Sequence, residues 1–321
     1  MVKVKLLYRK RLEEEFEKGD WRKGYVRSPF MNAMLRWNVF NQDDRIQLVD
    51  KNWDVIVTNY FEHALKENLL DRDDTLIGPV LSGEHYYKYK DKIGKNIILR
   101  KTCKGPFKKL NNKNKDFNIS HFEIDDEFYH ILPCVIDEDI LKPFIKQDRK
   151  KQVLACTHPN QRINRFKDPS FIDYDRLRIL LGKIGLKLRL VGPMSYDDFL
   201  EELSESMYYL HPSLIDGFSY NQIHAYCLGV PIINFRTRFN PYIDRPSGIE
   251  LDLDYDEGKV LKEMVYGGSK HNPMEDDIAM AINISSRQHQ YMVWNALSYS
   301  KKYYKENWIS RFIGIYDSSR N

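Results

Sequence analysis

Short runs of β-branched and aliphatic residues alternate along the chain with segments whose apolar positions recur every three to four residues. Val2–Tyr8, Trp53–Asn59, Thr75–Leu81 and Asn96–Arg100 read as strands. Of these, Trp53–Asn59 (WDVIVTN) is apolar enough to be covered on both faces. Pro29–Phe40 and Tyr60–Leu70 have helical spacing, with Pro29 suited to a first turn. Phe128–Val135 leads into an acidic, proline-punctuated stretch, and the theme then restarts. Strands are predicted at Gln152–Cys156, Leu186–Val191, Met207–His211 and Ile232–Phe235, with helices at Tyr174–Ile184, Tyr196–Ser206 and Tyr220–Leu228 between them. Ser195 is the expected N-cap of the second of these helices, and Gly229-Val230-Pro231 ends the third. Strands alternating with crossover helices predict an α/β protein with doubly wound parallel sheets. The boundary between two such domains falls near Pro143–Lys151, where proline and charges cluster.

A length of 321 residues accommodates two cores, and 42% apolar residues exclude a disordered chain. No apolar run approaches the roughly 20 residues of a membrane span, and the four-residue apolar core of Met1–Lys10, with charges on both sides, reads as too short for a secretory h-region. Cys103, Cys134, Cys156 and Cys227 lie more than 20 residues apart without metal-ligand spacing, which fits reduced thiols in a cytoplasmic protein. The formal charge is only +4, yet Lys88–Lys115 holds eleven Lys/Arg against one acid, leaving −6 for the rest. Such a run is either a solvated loop or a surface for a polyanion: an anionic glycan, a membrane surface or DNA.

In open parallel sheets ligands bind beyond the carboxyl ends of the strands, where helix N-termini offer free N–H groups to phosphate. Three segments of the second half meet that condition. One carries Arg162, Arg165 and Lys167, one carries Gly192, Pro193 and Met194, and one carries Asp216, Gly217, Phe218 and Ser219 before the helix at Tyr220. Two cations from one loop and backbone amides from another suit a diphosphate. The glycine patterns of P-loop and dinucleotide-binding folds are missing, and so are paired carboxylates spaced for a metal.

Leu190–Phe235 (LVGPMSYDDFLEELSESMYYLHPSLIDGFSYNQIHAYCLGVPIINF) combines a strand-Gly turn, a helix, and a strand ending in Pro-Ser. An acid-Gly-Phe loop then opens a further helix, and Gly-x-Pro follows. This block resembles the donor-binding core of retaining GT-B glycosyltransferases, especially glycosyltransferase family 4. Leu132–Phe144 (LPCVIDEDILKPF) is similar to that family's interdomain linker, Arg162 and Lys167 to its Arg/Lys pair, and Tyr304–Tyr316 to its closing helix. The resemblance covers roughly residues 130–316, with the first domain matched in architecture only.

The resemblance implies two Rossmann-like domains facing a cleft. Residues 1–146 would form the acceptor side, residues 147–298 the nucleotide-sugar donor side, and residues 299–321 a helix packing back on the first domain. Arg162 and Lys167 would hold the donor diphosphate, with Gly192, Pro193, Gly217, Phe218, Ser219 and Tyr220 lining the site. Asp216 stands where the family has the first of two glutamates, near the donor sugar. His224 replaces the second, which grips the ribose. An imidazole there can make one ribose bond, stack, or pack on its helix. In the first domain His85 is the candidate near the sugar, and Gly24, within a charged loop at Arg11–Arg27, the candidate near the diphosphate.

The implied activity is retaining, metal-independent transfer of a hexosyl or pentosyl group from a nucleotide-diphosphate sugar, a UDP-sugar ahead of a GDP-sugar, with no further cofactor. The acceptor is a glycan or lipid-linked glycan, which allows a peripheral position at a membrane. The alternatives are a hydroxymethylated base of viral DNA, or a catalytically degenerate GT-B subunit that only binds.

Overall fold

Val2, Val4 and Leu6 point into the protein from β1 (Val2–Leu6), while Lys3 and Lys5 alternate outward. β3 (Val55–Val57) is buried at every position and runs parallel to β1, with Val4 opposite Val55. The computed structural model describes residues 1–7, 9–18, 21–23, 28–57, 76–80, 97–100, 107–110, 117–120, 129–132, 134–156, 172–211, 220–236, 245–252 and 274–318. These divide into two compact units.

The first unit comprises Met1–Trp21, Val26–Asp137 and Lys302–Asn321. Its six-stranded sheet adds β2 (Ile46–Leu48), β4 (Leu76–Val80), β5 (Ile97–Arg100) and β8 (Tyr129–Ile131), in the order β2-β1-β3-β4-β5-β8. Every neighbouring pair is parallel. β6 (Phe107–Leu110) and β7 (Phe117–Ser120) form a separate antiparallel pair within the β5–β8 connection. The basic run is therefore not a single loop. It contributes a strand to the parallel sheet and one arm of this pair.

The expected charged loop at Arg11–Arg27 is corrected: Arg9–Glu17 is a helix, α1. Only Leu12 is buried on it, and Phe16 lies against Trp37 with ring centroids 4.5 Å apart. Two apolar residues four apart in a charged segment leave too narrow a stripe to be read from periodicity. An Arg9–Glu13 pair one turn apart supports the helix locally.

α2 (Ser28–Gln42) buries Met34, Leu35, Val39 and Phe40. The closing helix α9 (Lys305–Ser318) belongs to this unit and buries Trp308, Ile309, Phe312 and Tyr316. Its Trp308 and Phe312 rings lie 5.5 and 5.3 Å from Phe40. Asn38 on α2 donates to the buried Asp137 carboxylate, which also faces the Lys305 ammonium at 3.6 Å.

The second unit comprises Arg22–Tyr25 and Glu138–Lys301. After α3 (Glu138–Leu141), β9 (Lys150–Cys156), β10 (Lys187–Val191), β11 (Ser206–Leu210), β12 (Ile232–Arg236) and β13 (Gly248–Asp252) form a parallel sheet in the order β10-β9-β11-β12-β13. The helices are α4 (Tyr174–Lys183), α5 (Tyr196–Ser204), α6 (Tyr220–Cys227), α7 (Met274–Ala281) and α8 (Ser286–Ser300). Val153, Ala155, Leu177, Leu181, Tyr208, Ile233 and Ile278 are at the centre of its main core. Among the described residues no helix is long and apolar enough to cross a membrane.

Candidate functional site

β9 is the first strand of the second unit and lies between β10 and β11. The chain winds outward on one side of it and then crosses to the other, so the sheet's topological switch point falls between β9 and β11. Crevices at such points are where doubly wound sheets take ligands. The pairing continues to the strand ends, with Leu210 opposite Ala155. The carboxyl ends of β9 and β11 are therefore neighbours, and in the sequence they are followed by residues 157–171 and 212–219.

Helix starts gather at the same edge. Asp173 caps α4 by accepting from the Asp175 and Arg176 amides at 3.0 Å. Ser195 caps α5 by accepting from the Asp198 amide, and its hydroxyl donates to the Asp198 carboxylate at 2.6 Å. The N-cap expected from sequence is thus present. Between β10 and this cap, Gly192 and Pro193 are exposed, and a Cβ on Gly192 would meet no atom within 4 Å.

α6 starts at Tyr220, whose side chain is buried. His224, one turn on, is fully buried, and both of its ring nitrogens are engaged. Nδ1 lies 2.6 Å from the Tyr220 carbonyl oxygen, which can only accept, so Nδ1 carries the proton. Nε2 is then the acceptor, 2.7 Å from the Tyr196 hydroxyl, which donates. Burial pushes the imidazole down to about 4 against the smaller opposing effect of the Tyr220 carbonyl, so the ring is neutral at pH 7. Of the three roles open to His224 from sequence, a ribose bond requires an exchange of one of these two partners.

At the far end of α6, Arg149 donates to the Leu228 and Gly229 carbonyls at 2.6 and 2.5 Å. These are carbonyls at the helix end with no partner inside the helix. Desolvation lowers the guanidinium to about 10, so it keeps its charge at neutral pH beside the negative end of the helix. At the β9 terminus, burial pushes the Cys156 thiol up to about 12, so the sulfur is a neutral thiol at pH 7. Among the described residues no group of three His, Cys, Asp or Glu side chains is placed to hold a metal ion.

Of the candidates named from sequence, Gly192, Pro193, Tyr220 and His224 belong to this edge. Arg162, Lys167, Asp216, Gly217, Phe218, Ser219, His85 and Gly24 lie outside the described residues. Tyr196 and Arg149 were not singled out in the sequence. Tyr196 follows a recognised N-cap, but nothing in its spacing marks a partner 28 residues on.

No protein-family model matches the sequence, and no curated protein matches it either. Solved structures do match. The pneumococcal O-GlcNAc transferase GtfA, in complex with UDP and GlcNAc, superposes with a TM-score of 0.52 at 11% identity over 81% of this chain. This chain spans only 60% of the length of that one. Anabaena HepE, in complex with UDP and glucose, gives a TM-score of 0.53 at 8% identity, covering 99% of this chain and 100% of its own. Sucrose-phosphate synthase from Thermosynechococcus elongatus gives 0.51 at 10% identity, covering 99% of both chains. The chain has the GT-B fold, an α/β architecture with parallel Rossmann-like sheets and a C-terminal helix returned to the first unit. At these identities the likeness is one of fold.

Proposed function

We propose that this chain is a glycosyltransferase that takes a sugar from a nucleotide-diphosphate donor, bound on the second unit, to an acceptor hydroxyl bound on the first. The observation that carries it is the switch point of the second sheet. β9, which precedes Arg162 and Lys167 in the sequence, and β11, which precedes Asp216 to Ser219, end side by side, and α6 begins directly after the latter residues in the chain. GtfA and HepE, which share the fold, are complexed with UDP, and this supports a UDP-sugar as donor.

In this reading the bond from the anomeric carbon to the diphosphate oxygen breaks as the acceptor oxygen approaches. The acceptor proton passes to the departing diphosphate. Negative charge grows on that leaving group, and the Arg162 and Lys167 cations with the first amides of α6 stabilise it there without a metal. Asp216 accepts from hydroxyls of the donor sugar, while His85 serves near the sugar from the first unit and Gly24 serves near the diphosphate. Attack on the face the diphosphate leaves gives retention of configuration. The Lys88–Lys115 run draws an anionic glycan or lipid-linked glycan to the first unit.

Hydrolysis of UDP-, GDP- and ADP-sugars without acceptor, on the wild-type chain and on Lys167→Ala, tests this. Turnover of one sugar nucleotide is expected, with a loss of at least about a hundredfold in the variant and an unchanged melting temperature. No turnover of any donor by the wild type, or wild-type turnover by Lys167→Ala, overturns the assignment.

A further inference from the structure

α5 and α6 start at the same edge of the sheet, each at the end of a segment expected to touch the donor, and one side chain connects the two starts. Tyr196 is the first residue of α5 and Tyr220 the first of α6. The His224 ring spans them, receiving a hydrogen bond from the Tyr196 hydroxyl and giving one to the Tyr220 carbonyl. The rings of Tyr196 and Phe199 stand edge-on to it, with centroids 5.4 and 6.3 Å away, and that of Tyr220 is 6.2 Å away.

We propose that Tyr196–His224–Tyr220 is a positioning clamp that fixes the first turn of α6 relative to the Gly192–Ser195 turn, and so sets the geometry of the donor diphosphate site. Neither His224 nor Tyr196 touches the donor; both act through the backbone of the two helix starts. The inference rests on the donor site proposed above.

Packing alone does not call for this arrangement. An aliphatic side chain would fill the space between α5 and α6 without committing two polar groups to the interior. A buried neutral hydrogen-bonded pair adds little net stability but is specific in distance and direction. The bond to Tyr220 falls on the carbonyl that opens the helix, the turn whose N–H groups are left for a phosphate. Any rotation of that turn relative to α5 strains the clamp. At the distal end of α6, Arg149 holds the last carbonyls, so the helix is tied at both ends.

Calorimetric titration with UDP, and initial rates of UDP-sugar hydrolysis, compare the wild type with Tyr196→Phe, His224→Phe and the double variant. Tyr196→Phe deletes one hydroxyl and keeps the ring. Each single variant should weaken UDP binding and raise the donor KM about five- to tenfold, the range of one lost hydrogen bond. Turnover at saturation should stay within about twofold. Because the two residues act as one unit, the double variant should be no worse than the worse single one.

In the wild type, nitrogen NMR should show His224 as the neutral Nδ1–H form, with its signals moving on saturation by UDP. A side chain serving the fold alone would alter the melting temperature but neither the KM nor the response to UDP. Wild-type UDP affinity and KM in a folded Tyr196→Phe, or His224 signals indifferent to UDP, overturn the clamp alone. A wild type that binds no nucleoside diphosphate removes the donor site itself, and the clamp's purpose with it.

Discussion

A buried imidazole held in one tautomer makes stability depend on pH in a direction set by its surroundings. In the unfolded chain a histidine ionises near 6.5, whereas His224 in the folded protein ionises near 4 because the charged form is desolvated. Between those values the unfolded chain binds more protons. The stabilisation is therefore complete above about pH 6.5 and is lost as the pH falls toward 4. From pH 7 to pH 5 the expected loss is about 2 kcal/mol. Burial lowers His289 in the same direction, so the measurement is a comparison of urea midpoints at both pH values for the wild type and His224→Phe. The variant should show a visibly smaller drop; equal drops would contradict a neutral His224. The family resemblance marked the position as one where a Glu is replaced, and with it three possible roles. The sequence held no trace of the bond to Tyr196, because a contact between two helices depends on how they pack and not on spacing within either.

At the scale of elements, helix ends were the most legible features. Ser195 caps α5, and Gly229 ends α6 with φ at +68°, where an L side chain is strained. The Val230 amide bonds the Ala225 carbonyl and the Gly229 amide the Tyr226 carbonyl, the pair of bonds that closes a helix with glycine just past its end. A Cβ at Gly229 would stand 3.0 Å from Leu297 Cγ and 3.3 Å from Arg149 Nη2. Gly229→Ala should therefore destabilise the protein by about 2 kcal/mol, from backbone strain plus crowding. Thermal melting checks this, and an unchanged midpoint would refute it. Strands with continuous apolar runs were equally readable, as at β3, β4 and β5. α1, with a two-residue apolar stripe among charges, was not, and neither was β2, which has only three residues. The β6–β7 pair was hidden by the lysines that made its segment conspicuous.

For the whole molecule, the closing helix has the largest consequence. α9 follows the second unit in sequence yet adds Trp308, Ile309 and Phe312, all fully buried, to the core of the first. Burial of these three side chains contributes on the order of 6 kcal/mol, comparable with the whole stability of a domain. A chain ending at Lys301 should thus lose the cooperative unfolding of the first unit while the second still melts as a unit. Calorimetry on the truncated protein would show one transition in place of two, and retention of both would refute the dependence.

Local pattern determined the strands, the helices, their alternation and the caps, because each depends on residues within one or two turns of each other. It also marked the acidic and basic segments at the carboxyl ends of the strands, since connectivity alone puts them there. Tertiary structure decided the strand order that sets β9 beside β11, the return of α9 and the burial of His224 against Tyr196. Each of these joins residues far apart in the chain, through packing free energies that no short window of sequence contains.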